Sequence, residues 1–121
     1  MTTKTMAGKV VIAYSETPII FDGQSALNFA ANIGYEHDCH NIVVNKAAVA
    51  EDFFKLSTGI AGEVVQKFVN YGYRLAIIGD FSGYTSKPLR DYIYECNKGN
   101  HLYFVANEKE AIAKLIDRGN V

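Results

Sequence analysis

The chain has no tryptophan, only two cysteines and almost no net charge. Cys39 and Cys96 form no C-x-x-C pair, and with no signal ahead of them they predict reduced thiols in a cytoplasmic protein. A formal net charge of −1 argues against a general binder of nucleic-acid phosphates, which would be clearly basic. No apolar run reaches 18 residues, so no transmembrane helix is predicted. Met1 to Lys9 contains no apolar segment, which predicts no secretory signal. What is present is ordinary for a folded chain. Its 121 residues are 49% hydrophobic and 21% charged, which suits one domain with a real core. Eight tyrosines and seven phenylalanines fill that core and supply a partner surface.

The strongest local signal runs from Gly72 to Gly99. Leu75-Ala76-Ile77-Ile78 is apolar at every position, as a strand covered on both faces requires. Phe81 to Lys87 is turn material. Pro88, lacking an N–H, suits a first helical turn, and Thr85 or Ser86 can cap it. Leu89, Tyr92, Ile93 and Cys96 then recur at helical spacing.

Around this unit the rest of the chain reads in order. Met1 to Gly8 is a flexible arm. Lys9 to Tyr14 is a strand, and Ile19 to Phe21 returns beside it as a hairpin. Asp22 caps a helix that ends at Gly34. Ile42 to Val44 is a strand, and Lys46 to Leu56 is an irregular or short helical segment. Ser57 or Thr58 opens a helix that Gly72 stops. His101 to Ala106 is the last strand, and Asn107 with Glu110 caps a final helix. Strands alternating with helices call for parallel pairing through crossovers. The expected fold is therefore α/β: a single domain with a mixed, mostly parallel sheet of about five strands and four helices.

Several constellations invite chemistry. His37-Asp38-Cys39-His40 holds zinc-ligand types, but the four are adjacent, and a site needs three or four that converge. It reads as a polar loop, and no metal site is expected. Cys96 falls on an apolar helix face, as a structural thiol does. Cys39 lies near two histidines, but no oxyanion site is legible, and no catalytic residue is named. Glu51 and Asp52 are paired acids beside Phe53 and Phe54. Leu56-Ser57-Thr58-Gly59-Ile60 places two hydroxyls at a helix start, where they cap and where a phosphoryl group would be favoured. Gly59 and Gly62 would let another backbone approach.

The residues Ala50 to Ala111 carry a resemblance. Asp52-Phe53-Phe54, T-G-x-A-G-E from Thr58, K-F-V-N-Y from Lys67, G-D-F-S-x-Y-T-S-K-x-L-R-D from Gly79 and N-K-G from Asn97 resemble a small bacterial family, domain of unknown function 4180. They cover about half of the chain, and the resemblance implies kinship rather than an activity. The layout is also similar, remotely, to STAS domains of the anti-sigma-factor-antagonist type. There Ser57, Thr58 and Gly59 match a D-S-S-G-L motif, while Leu56 stands where that motif has its acidic residue. The opening Lys9 to Thr17 resembles a flavodoxin strand and phosphate loop, but Pro18 and an apolar run replace the T-G-x-T that would wrap the phosphate. No cofactor is expected.

Two functional expectations follow. The first is a STAS-like regulatory module that binds a protein partner through Asp52, Phe53, Phe54, Ser57 and Thr58 together with Phe81, Ser82, Tyr84, Thr85 and Ser86. Ser57 or Thr58 would be its switch. The second is a binding domain or enzyme that takes a small anionic ligand at a turn lined by Asp80, Ser82, Tyr84, Thr85, Ser86 and Arg90, with Arg90 pairing the charge.

Overall fold

The structure is a computed structural model describing residues 1–6 and 10–117. Five strands form one sheet in sequential order: β1 Thr2–Met6, β2 Val10–Tyr14, β3 Asn41–Asn45, β4 Arg74–Ile78 and β5 Leu102–Val105. β1 pairs antiparallel with β2, and the other neighbours pair parallel. The sheet is therefore mixed, with its one antiparallel strand at an edge. The helices are α1 Gly23–His37, α2 Ile60–Tyr71, α3 Lys87–Asn97 and α4 Glu108–Ile112, which passes into a wider π-helical turn over Ala113–Asp117.

Two layers of helix explain why the central strands are apolar throughout. Val11, Ala13, Ile42, Val44, Leu75 and Ile77 face α1, α2 and α3. Val10, Ile12, Val43, Ala76 and Tyr103 face α4 and its continuation, where Ala111 and Leu115 are buried. Arg74 ties this second layer down. Its guanidinium donates to the carbonyls of Asn100, Lys114 and Leu115 and to the Tyr103 hydroxyl.

Local signals set most helix ends. Asp22 forms a reciprocal capping box with Ser25, Ser86 accepts from the Leu89 N–H ahead of Pro88, and Asn107 accepts from that of Glu110. Gly72 closes α2 at φ 76°, a conformation that glycine adopts without a side-chain clash.

Three local expectations are corrected. The first concerns the arm over Met1 to Gly8. Thr2–Met6 is a strand, held by pairing Thr2 with Tyr14 through to Met6 with Val10. Every side chain in it is exposed, so no apolar pattern marked it. The rest of that expectation, with Lys9, lies outside the described residues. The second concerns the hairpin. β1 occupies the edge of β2 that Ile19 to Phe21 was expected to take. The displaced segment runs along the stretch after β3 instead, where Ile19 and Ile20 N–H groups donate to the Ala48 carbonyl and Ile20 makes one parallel bridge to Val49. The third is the end of α1. The helix passes through Gly34 and ends at His37, with Asp38 left-handed at φ 51°. Gly34 is small for a packing reason, since a methyl there would meet the Tyr73 hydroxyl at 3.3 Å.

No helix among the described residues is long and apolar enough to cross a membrane.

Candidate functional site

In open α/β sheets, loops leaving the carboxyl ends of parallel strands build sites. Here the loops after β3 and β4 do so. Between β3 and α2 the chain makes three short 3-10 turns, Lys46–Ala48, Glu51–Phe54 and Leu56–Thr58. Between β4 and α3 it makes the turn through Gly83. These two loops face each other across a cleft of about 700 Å³. Glu51, Phe54, Lys55, Leu56 and Ser57 form one wall, and Gly83 to Ser86 with Pro88 and Leu89 form the other. The volume is in the range of ordinary ligand sites, about 300–1,000 Å³. The two stretches singled out in the sequence thus meet in one place.

One end of the cleft is bridged. The Tyr84 hydroxyl donates to Glu51 Oε1 at 2.8 Å, and Lys46 Nζ donates to Glu51 Oε2 at 3.4 Å. The Tyr84 ring stacks on Phe54, with centroids 5.2 Å apart. Lys46 Nζ lies 5.2 Å from the Phe54 ring centroid and 5.1 Å from that of Tyr84, within cation–π range. The Tyr84 hydroxyl, and then Glu51, hold the Lys46 ammonium above the usual lysine range, against its partial burial. Burial pushes the Tyr84 phenol up, with Lys46 opposing and Glu51 reinforcing. Both groups therefore carry their protons at neutral pH.

Lys46 reaches this position because Gly79 has no side chain. A methyl on Gly79 would lie 2.9 Å from Lys46 Cβ and 3.3 Å from the Phe81 ring. Sequence reasoning passed over Lys46 and Gly79. The signal for Lys46 is its place directly after β3, at the strand end where sites form.

The expected site residues separate into groups. Phe54, Ser57, Tyr84, Thr85 and Ser86 line the cleft. Phe53 does not present itself to a partner. It is 1% exposed and Phe54 is 4% exposed. Their rings join Phe81 and Phe104 in one aromatic cluster. Two neighbouring apolar rings at a domain edge serve the core first, because burial is where their area counts. Neither is a surface anchor. Of the two acids, Glu51 faces the cleft, while exposed Asp52 pairs with Lys55 at 3.3 Å.

Thr58 and Ser57 differ in the same way. Thr58 Oγ1 lies 2.8 Å from the carbonyls of both Asp52 and Lys55 and receives the Ile60 N–H at 3.3 Å. It is a turn lock. Ser57 is exposed on the cleft wall. Gly59 sits at φ 78° with nothing within 4 Å of a methyl there, and Gly62 is equally open. Neither admits a close backbone within this chain. Gly59 answers instead to its left-handed conformation.

Asp80 and Arg90 do not share a pocket. Asp80 and Phe81 line a shallow hollow towards Phe104 and Glu110, and Arg90 lies in another with Lys87, Asp91 and Tyr94. Asp80 Oδ1 accepts from both the backbone N–H and the hydroxyl of Ser82, which hold its carboxyl below the usual range. The turn is locally closed. The first turn of α3 also has little for an anion, since Pro88 has no N–H and the cap takes that of Leu89.

Elsewhere, Tyr14 donates to Glu108, which also pairs with Lys4 at 3.0 Å. Burial first, then Glu108, pushes the Tyr14 phenol up to about 12. Cys39 is buried, its thiol donating to the Asn41 carbonyl, and Cys96 is half-buried, where burial pushes its thiol up. Among the described residues no three histidines, cysteines or acids converge as a metal site would require.

These observations define an α/β domain with a mixed five-stranded sheet and a cleft at the carboxyl ends of β3 and β4. The chain belongs to the family described as Domain of unknown function (DUF4180), whose family model matches residues 5–115. Comparisons with curated proteins and with solved structures find no match.

Proposed function

We propose that this protein is a cytoplasmic regulatory module that binds a segment of a protein partner in the cleft between Glu51–Ser57 and Gly83–Leu89. The observation that carries the reading is the meeting of these two loops around a concave, largely apolar surface with Ser57 at its wall. Leu56, Tyr84 and Pro88 supply accessible apolar contact over the buried Phe54 and Leu89, and Glu51, Ser57, Thr85 and Ser86 supply a polar rim, the anatomy a binding surface requires. Ser57 is the switch. A phosphoryl group there would project into the cleft beside Lys55, whereas the Thr58 hydroxyl is engaged in its turn. A STAS-like outline is part of this proposal. It is supported by a mixed sheet, by a helix opened by the Ser57-Thr58-Gly59 stretch and by a capped closing helix.

A small-molecule ligand in the same cleft is the second reading, favoured by its volume. An Asp80–Arg90 anion site is no part of either, because those residues line separate hollows.

The test is native mass spectrometry of the protein purified gently from its own host, beside a Gly83→Trp variant. A methyl at Gly83 would meet nothing within 4 Å, and Gly83 is exposed on the cleft wall, so a bulky residue there is expected to obstruct the cleft while sparing the core. The expected result is a co-purifying protein with the wild type that is lost from Gly83→Trp. A small-molecule mass lost in the same way would favour the second reading. A partner retained equally by both would overturn the cleft as the site.

A further inference from the structure

We infer that the bridged end of the cleft is a subsite for an acidic side chain of the partner, and that the Glu51 carboxylate occupies it in the free protein. This rests on the function proposed above and adds the chemistry the partner must bring.

Two donors converge there. Lys46 Nζ and the Tyr84 hydroxyl both point at one carboxylate, at 3.4 and 2.8 Å. Both donors are packed more closely than the group they hold. The Lys46 stem crosses Gly79 with no room to spare, and its ammonium stands against two rings that are stacked on each other. Lys46 is 32% exposed at its side chain, while Glu51 is 61% exposed. Glu51 thus presents a hydrated carboxylate to two less exposed donors. Exposed ion pairs of this kind contribute little, so exchanging one carboxylate for another costs little. An incoming carboxylate that also carries an apolar neighbour gains what Glu51 lacks, namely burial against Leu56, Tyr84 and Pro88 in the adjoining cleft. The recognised element is therefore an acidic residue next to an aromatic or large aliphatic one. The donor pair specifies the charge and the cleft specifies the neighbour.

The competing carboxylate makes the inference directional. Removing Glu51 should strengthen binding, which loss of a merely structural contact would not do. The experiment titrates acetyl-Phe-Glu-amide, and separately acetyl-Phe-Gln-amide, into the full chain and follows backbone amide shifts. The acidic dipeptide should move the signals of Lys46, Glu51, Tyr84 and Leu89. It should bind Glu51→Gln roughly three- to tenfold more tightly than wild type, and Lys46→Met at least about tenfold more weakly. The Gln dipeptide should bind wild type at least about tenfold more weakly than the acidic one. Equal binding of the two dipeptides, or unchanged binding in both variants, would overturn the inference. Glu51→Gln alters only an exposed side chain, so the outcome does not hang on how well Lys46→Met folds. The host-purified partner separates the two levels. If Gly83→Trp loses it while Lys46→Met keeps it, the cleft stands and the acidic subsite falls. If both keep it, the cleft reading itself fails.

Discussion

Gly79, at the end of β4, lies directly against the stem of Lys46, at the end of β3, so that even a methyl group would come within 2.9 Å of Lys46 Cβ. The neighbouring atom is close to the backbone and cannot swing away. Gly79→Ala should therefore displace Lys46 from the Phe54 and Tyr84 rings and cost about 1–3 kcal/mol. Urea unfolding reads the stability change, and the Tyr84 ring shifts report the loss of the cation. Unchanged stability and unchanged ring shifts would count against this packing.

Phe53 distinguishes core from interface. A surface anchor truncated to alanine leaves the free protein's stability almost unchanged, whereas a buried ring does not. Phe53→Ala should cost about 3–5 kcal/mol, read from the denaturant midpoint at constant slope. A loss within about 0.5 kcal/mol would mean that the ring is not packed as described.

Ser57 and Thr58 should behave oppositely on truncation. Thr58→Ala removes the hydroxyl that joins the turn to the start of α2 and should cost about 1 kcal/mol, as loss of a typical hydrogen bond does. Ser57→Ala should stay within about 0.5 kcal/mol. Ser57→Asp should alter partner retention with stability unchanged. Thermal unfolding of the three variants, paired with co-purification, reads both properties.

The Tyr14–Glu108 contact predicts a pH window. The Glu108 carboxyl is lowered from its ordinary 4.5, first by Tyr14 and then by Lys4. Its contribution is present above about 4.5 and is lost as pH falls through the folded value. Tyr14 is raised from 10.0 to about 12. Its contribution is complete below 10 and is lost as pH rises through about 12. The stability difference between wild type and Tyr14→Phe should accordingly be largest between these limits and shrink on both sides. A difference that is flat with pH would rule out the contact as the source of either shift.

The periodic parts of the chain were legible because each is decided over a few residues. An apolar run such as Leu75–Ile78 needs cover on both faces, whatever covers it. Asp22, Ser86 and Asn107 cap because their side chains reach N–H groups three residues on. Gly72 ends a helix because it can turn left-handed. The alternation of strand and helix, which calls for parallel pairing, and the two polar stretches that border the cleft follow from signals of this range.

What those signals could not decide are the relations between residues far apart. Thr2–Met6 carries no apolar face, so only the free edge of β2 makes it a strand, and that pairing displaces Ile19–Phe21 from the position a short turn suggested. Phe53 and Phe54 have the same composition whether buried or displayed, and it is the aromatic cluster with Phe104 that takes them inside. Glu51 and Asp52 are equivalent acids in sequence, yet only Glu51 faces Tyr84, 33 residues away. Lys46 acquires its place from Gly79, just past the end of the neighbouring strand. Local order is determined by backbone geometry and side-chain reach within a turn or two. The site depends on which loops the sheet sets side by side, and that is settled only when the strands have paired.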